Sequence, residues 1–235
     1  MMNFFTFADQ SSVDFGIYIS GDGTFNAPER DVTTYSIPGR NGDLIVDNGR
    51  FLNISLAYQA FIPFGFPLKA ERIRLWLKSK TGYQRLEDTY HPEFFRMAYM
   101  ANTIDFKPKV LNRSAEFTLN FICQPQRWLK TGELPININQ SGARIFNAYM
   151  PSLPIFKVYG SGSGALVVNQ TTVVIKDISE YMMIDCDIQN AYKGTVNQNQ
   201  NISAPVFPEL QSGENTIAWS GNITGVEIVP RWWTI

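Results

Sequence analysis

Glu116-Phe117-Thr118-Leu119-Asn120-Phe121-Ile122-Cys123 is the stretch that decides the fold. Phe117, Leu119, Phe121 and Cys123 alternate with Glu116, Thr118, Asn120 and Ile122, the period of a strand with one buried face. The same alternation recurs upstream at Asn53 to Phe61, where Ile54, Leu56 and Tyr58 interleave with Ser55, Ala57 and Gln59. Phe95, Met97 and Tyr99 form a shorter version, and Phe15 to Ser20 is a short apolar strand candidate followed by the turn Gly21-Asp22-Gly23. Downstream, Tyr181 to Ile188 places Met182, Ile184, Cys186 and Ile188 on one face and Tyr181, Met183, Asp185 and Asp187 on the other.

Between these strands lie turn signals and one helix. Ile37-Pro38-Gly39-Arg40-Asn41-Gly42-Asp43-Leu44 forces tight reversals, because Gly accepts positive φ and Pro fixes its own. Pro67 suits a first helical turn, and Leu68 to Ser79 carries Ala70, Ile73, Trp76 and Leu77 on one side, so a helix is expected near 67–79. Thr81-Gly82 ends it. The second half reads as strand and turn: Ile155 to Tyr159, the run Gly160-Ser161-Gly162-Ser163-Gly164, Ala165 to Val168, Thr171 to Ile175, the polar loop Asn197 to Asn201, Asn215 to Trp219 and Thr224 to Val229. Short strands at such spacing read as a sandwich or jelly roll.

The pattern lapses around Gln124 to Gly142, which contains Pro125, Pro135, Asn137 and Asn139. The fold class is therefore mainly β with two domains: residues 1–133, β-rich with the one helix, and residues 134–235, a β-sandwich. A chain of 235 residues, 44% hydrophobic and 14% aromatic, supplies two such cores.

Charge excludes some classes. The formal net charge is −1, from 20 Lys and Arg against 21 Asp and Glu. A nucleic-acid reader is normally strongly basic. No run of about 18 apolar residues suggests a membrane span, and Met1 to Phe7 lacks the basic and apolar regions of an export signal. Cys123 and Cys186 read as buried free thiols of a protein made in a reducing cytoplasm. The six Asn-x-Ser/Thr sequons, at Asn53, Asn112, Asn139, Asn169, Asn201 and Asn222, then read as by-products of composition.

Catalytic chemistry finds little to use. The one histidine, His91, precedes Pro92 and reads as a surface or packing residue, since a triad or multi-histidine metal site needs partners. Gly160 to Gly164 leads into strand rather than a helix N-terminus, so it reads as a hairpin connection and not a phosphate loop. Asp185 and Asp187 project from one strand face, where a solvated or interface role outweighs cation binding. Trp232 and Trp233 read as packing the last strand rather than as a sugar platform. The expectation is no enzyme, no cofactor and no metal.

The order of these features resembles the distal tail protein (Dit) family of long-tailed, siphovirus-like phages and prophages. Residues Ile37 to Leu44 are similar to its Pro-Gly-Arg-Asn/Asp-Gly segment. The helix ending Leu75-Trp76-Leu77, then Gly82-Tyr83, Ala98-Tyr99 and Phe121-Ile122-Cys123-Gln124-Pro125 follow in its order. So do Pro151 to Ile155, Gly160 to Gly164, Phe207-Pro208-Glu209-Leu210, Gly213-Glu214-Asn215 and Val226 to Arg231, which resemble its galectin-like second domain.

That resemblance implies a homo-oligomeric ring, usually a hexamer, at the distal end of a phage tail in the virion. One face would stack on the tail tube protein. The other would dock the tail-associated hub protein, with second domains offered to receptor-binding proteins and DNA passing through without specific binding. A near-neutral chain suits such a lumen, since a basic one would grip DNA. Galectins read sugar with a histidine, absent from this second domain, so that site is not carried over. Pro38, Gly39, Arg40, Asn41, Gly42 and Asp43 form either a rigid turn or a ring or stacking interface. The competing function is a carbohydrate-binding module contacting the host cell wall; a hydrolase ranks below both, for want of a signature acid–base pair.

Overall fold

The computed structural model describes residues 2–21, 23, 25–110 and 113–235. Asp22 of the expected Gly21-Asp22-Gly23 turn and the sequon residue Asn112 lie outside them. The strands are β1 (Phe5–Phe7), β2 (Gln10–Ser11), β3 (Tyr18–Ser20), β4 (Arg30–Tyr35), β5 (Leu44–Phe51) and β6 (Ile54–Ile62). Helix α1 (Phe66–Lys78) follows, then β7 (Gln84–Asp88), β8 (Phe94–Tyr99), β9 (Lys107–Lys109), β10 (Ser114–Cys123) and β11 (Arg127–Leu129). The rest is β12 (Ile136–Ile138), β13 (Ala143–Asn147), β14 (Ile155–Val168), β15 (Thr171–Asp185), β16 (Asn190–Lys193), β17 (Val196–Asn197), β18 (Ile202–Ser203), β19 (Gly213–Val229) and β20 (Trp233–Thr234). The fold is mainly β, as the sequence implies.

Contacts divide the chain after Arg127, somewhat ahead of the boundary expected near 133. The reason is local. Leu129 N–H donates to Trp232 O at 2.9 Å, and Arg231 N–H donates to Gly132 O at 2.8 Å, so the segment after Arg127 packs with the C-terminal strands.

In the first unit, strands run in the order β2-β1-β7-β8-β10-β6-β3, with β9 on β10. The central pair, β10 against β6, holds register without a slip from Ala115↔Ile62 to Cys123↔Ile54. Period two does its work here: Ile54, Leu56, Tyr58 and Ala60 are buried with Phe117, Leu119, Phe121 and Cys123. Helix α1 covers this face through Phe66, Ala70, Ile73, Trp76 and Leu77. Trp76 is the pin: its Nε1–H donates to Phe7 O at 3.2 Å, and its ring stacks on Phe15 at 4.2 Å between centroids.

Two expectations fail in this unit. The strand expected at Phe15 to Ser20 begins only at Tyr18, because Ser12–Phe15 is a 3-10 turn capped by the Ser11 side chain. In β8 the buried residues are Phe95, Arg96 and Ala98 rather than Phe95, Met97 and Tyr99. Arg96 and Ala98 face the core, and Phe95 is covered by the Arg85 guanidinium 3.7 Å from its ring centre.

The second unit is built on three long strands, β14, β15 and β19, within the order β12-β19-β14-β15-β16-β17, with β13 on β19 and β18 on β15. Gly160 to Gly164 is therefore not a hairpin. It lies inside β14, where register slips between Tyr159 and Gly160 and again before Gly164. Such bulges bend a strand. Both halves of β14 keep β15 and β19 as neighbours, and the outer partners change instead: β12 and β13 take different halves of β19, and β16 and β18 different halves of β15. Glycine is required by close approach: a Cβ on Gly164 would lie 2.8 Å from Ser220 O and Ile223 Cγ1. Asn215 to Trp219 and Thr224 to Val229 likewise form one strand, β19.

Candidate functional site

Residues Pro38 to Asp43 sit at the tip of a ribbon formed by β4 and β5, a sheet of two strands only. Tyr35↔Leu44, Thr34↔Ile45, Thr33↔Val46 and Val32↔Asp47 are opposite one another, and a bulge separates Val32 from the Arg30↔Phe51 pair. All six tip residues are exposed. Arg40 N–H donates to Ile37 O at 3.1 Å, closing the Pro38-Gly39 turn, and Gly39 and Gly42 have φ of +80° and +79°. The expected turn chemistry is thus present, and the same six residues are an accessible surface.

The sequence reading missed the ribbon beneath them. Opposed residues share a face, so Val32 and Ile45 lie on one side and Tyr35, Leu44 and Val46 on the other. Every one is exposed, Ile45 at 65% and Tyr35 at 54%. A strand pair apolar on both faces, with both edges open among the described residues, is a template for pairing with another chain. The available signal was the β-branched Val32-Thr33-Thr34 and Ile45-Val46 flanking Pro-Gly and Asn-Gly turns.

Polar contacts hold the ribbon's base. Arg30 pairs with Asp47 and Arg50 with Asp31, both at 2.6 Å. The Asn48 carboxamide donates to Asp31 Oδ1 at 2.8 Å, and Gly49 N–H donates to Asp47 Oδ1 at 2.8 Å. Asp31 is held below the usual carboxylate range, first by the Asn48 hydrogen bond and then by Arg50. Asp47 is lowered first by the Gly49 N–H and then by Arg30.

The remaining candidate residues are occupied structurally. Asp185 is buried and takes a two-pronged bond from Arg231, 2.7 Å from Nη1 and 2.9 Å from Nη2, while its Oδ1 also accepts the Asp187 N–H. The strand ends at Asp185, so Asp187 and the exposed Ile188 belong to the turn that follows, not to alternating faces. Among the described residues no group of three His, Cys, Asp or Glu side chains could hold a metal ion. The His91 N–H donates to Asp88 Oδ1 at 2.8 Å, and Tyr58 donates to Asp88 Oδ2 at 2.5 Å. Burial pushes the Tyr58 hydroxyl well up, so it remains a donor to Asp88. Cys123 and Cys186 are buried free thiols, each pushed up to about 12, chiefly by burial.

Four aromatic residues of the second unit are engaged by the chain itself, while Phe146 is 71% exposed. Trp232 is 8% exposed, and Trp233 Nε1–H donates to Pro151 O at 2.8 Å. The Lys157 ammonium lies over the rings of Tyr159 and Tyr181, 5.0 and 4.9 Å from their centres. A groove of about 470 Å³ between Val168–Thr171 and Val206–Gln211 carries Glu209 and Glu214 beside Phe207.

No model of a known protein family matches the sequence, and no curated protein matches it. The fold does have counterparts. The crystal structure of the Dit protein of phage SPP1, described as a paradigm of the hub adsorption apparatus of phages infecting Gram-positive bacteria, matches with a TM-score of 0.80. The match covers 100% of both chains at 11% identity. A chain of the phage p2 baseplate in its activated conformation also matches, with a TM-score of 0.47 and 11% identity over 97% of this chain and 98% of that one. From end to end, this chain has the fold of a Dit hub protein.

Proposed function

We propose that this chain is a distal tail protein, a non-catalytic structural subunit of a phage tail tip. The observation that carries the reading is the match of the whole fold, both units together, to a Dit hub protein at a TM-score of 0.80. A single β domain recurs across unrelated functions, whereas a full-length two-unit match is far more restrictive.

The finer reading is a ring, a hexamer, joining the tail tube protein to the tail-associated hub protein, with receptor-binding proteins attached outside and DNA passing through. The β4–β5 ribbon supports it. Head-to-tail contacts that close by rotation make rings, and an open ribbon with apolar residues on both faces is a surface such contacts can cover. Pro38, Gly39, Arg40, Asn41, Gly42 and Asp43 at its tip are then contact residues of the ring or of a stacking face. The carbohydrate-binding alternative is weaker, because Trp232, Trp233, Tyr159 and Tyr181 are engaged by the chain itself and the exposed Phe146 lacks a second ring partner beside it among the described residues.

The test is the solution mass of the full chain by light scattering over a concentration series, with negative-stain images. A closed species of six 26.6 kDa subunits is expected. A strict monomer at every concentration, still monomeric with tail tube and hub proteins added, overturns the ring.

A further inference from the structure

The chain contains two Asn-Gly pairs, and both stand on the ribbon: Asn41-Gly42 in its tip and Asn48-Gly49 in β5. Both are solvent-exposed, so access does not distinguish them. Hydrogen bonding does. The Asn48 carboxamide donates to Asp31 Oδ1 at 2.8 Å and to Thr33 Oγ1 at 3.2 Å, and Gly49 N–H is held by Asp47 Oδ1 at 2.8 Å. Among the described residues neither the Asn41 carboxamide nor the Gly42 N–H has a hydrogen-bond partner. Nothing lies within 4 Å of the place a Gly42 Cβ would occupy.

We propose that Asn41 is a site of spontaneous deamidation, and that the ribbon's own hydrogen bonds protect Asn48 from the same reaction. The Gly42 backbone nitrogen gives its proton to solvent base and attacks Asn41 Cγ, forming the new C–N bond of a five-membered succinimide. The bond from Cγ to the side-chain nitrogen breaks, and that nitrogen leaves as ammonia after taking a proton from water. Water then adds to either imide carbonyl. Ring opening yields aspartate or its β-linked isomer, so the sum is exchange of NH₂ for OH with no oxidant or reductant.

Each step is hindered at Asn48 and free at Asn41. At Asn48 the carboxamide must leave two acceptors to reach the next nitrogen, and that nitrogen's proton is already committed to a carboxylate. Asp31 and Asp47 are both held below the ordinary carboxylate range, so the acceptors stay ionised at neutral pH. At Asn41 no such bond has to break, and glycine offers no side chain to crowd ring closure. The product changes the tip. Beside one cation, Arg40, and one anion, Asp43, the loop gains a second carboxylate. This chemistry stands whether or not the chain is a tail-tip subunit.

The test incubates the folded full-length chain at mildly alkaline pH, then digests it at lysine. Lys69 is the first lysine, so one peptide, residues 1–69, carries both asparagines, and fragment masses report each site against the other. Conversion at Asn41 is expected to exceed that at Asn48 by at least about tenfold, given three hydrogen bonds at the protected site. In denaturant the two sites are expected to react at similar rates. Asp31→Ala is expected to raise conversion at Asn48 while leaving Asn41 unchanged. Equal conversion in the folded chain, faster conversion at Asn48, or an Asp31→Ala chain whose Asn48 stays as slow as before overturns the proposal.

Discussion

Two antiparallel strand pairs in the first unit put their apolar residues to opposite ends. In β6–β10, every second residue is buried, the register runs unbroken, and β3, β8 and β9 take up the flanking edges. In β4–β5, joined to it through the short link after Phe51, apolar residues point to both faces and no third strand or helix covers them among the described residues. The ribbon carries four charged residues, Arg30, Asp31, Asp47 and Arg50, where the core pair carries only Glu116, and only the core pair has buried apolar residues. The core pair is stabilised by burial, at about 25 cal/mol per Å² of apolar surface. The ribbon relies on solvent-screened ion pairs and hydrogen bonds, which contribute little. The first pair makes the domain, and the second is an unsatisfied surface whose apolar residues gain most from a partner.

The strongest way to break this comparison is to truncate one residue in each pair. Phe121 is fully buried and contacts Phe5, Phe7 and Tyr58, with ring centres 5.1 to 6.0 Å apart. Phe121→Ala is expected to cost about 3–5 kcal/mol, read as a lowered denaturation midpoint of the full chain. Ile45→Ala, at a side chain 65% exposed, is expected to fall within about 0.5 kcal/mol of the parent in the same measurement. If the ribbon is an assembly contact, Ile45→Ala lowers oligomer mass in light scattering while leaving that midpoint alone. Equal stability losses for both variants would erase the distinction.

Glycines sharpen it on a smaller scale. Gly221 has φ +74° and a Cβ there would lie 2.7 Å from both Gly164 Cα and Ser163 O, so Gly221→Ala adds a backbone clash to left-handed strain. About 3 kcal/mol is expected. Gly42 has φ +79° with open space around it, so Gly42→Ala pays strain alone, about 1 kcal/mol and confined to the tip. Thermal denaturation of the two variants compares them directly. The thiols give a labelling version of the same contrast between core and surface: buried and pushed up to about 12, Cys123 and Cys186 are expected to stay unalkylated in the folded chain and both react in denaturant.

How much of this was legible in the sequence follows from the same contrast. Where one face is buried, period two announces the strand, and Ile54 to Phe61 and Glu116 to Cys123 fall where the alternation puts them. The helix was legible because Ala70, Ile73, Trp76 and Leu77 fall on one side and are all buried. The ribbon was not read, since Leu44-Ile45-Val46 exposes apolar residues to both sides and leaves no alternation. Gly160 to Gly164 misled for another reason. Glycine permits a turn, but here it permits close approach of β14 to β19, a long-range fact that no local window carries. At the candidate site, the six tip residues were singled out by turn chemistry and by the resemblance of Ile37 to Leu44 to a Pro-Gly-Arg-Asn/Asp-Gly segment. The apolar strands that would give the tip a purpose show their meaning only once they are seen to lack neighbours.

Acid gives the smallest and most local test of the comparison. Asp31 and Asp47 titrate lower in the folded ribbon than the ordinary value of 3.8, so folding favours their ionised forms. Their contribution is complete above that value and is lost as pH falls through the lowered folded values. Asp47 is exposed and Asp31 half-buried, both on the ribbon and away from the core, so the effect is a loosening of the ribbon's base rather than unfolding of the domain. Backbone NMR at neutral pH and at about pH 2.5 separates the regions, because protonation removes the charge-assisted acceptors that hold Arg30, Arg50, Asn48 and Gly49. Amides of β4 and β5 are expected to gain fast motion, while those of Leu119 and Phe121, whose strand partners are backbone groups insensitive to pH, keep their order. Ribbon amides as rigid in acid as at neutral pH would mean that backbone pairing, not the Asp31 and Asp47 contacts, holds the ribbon together.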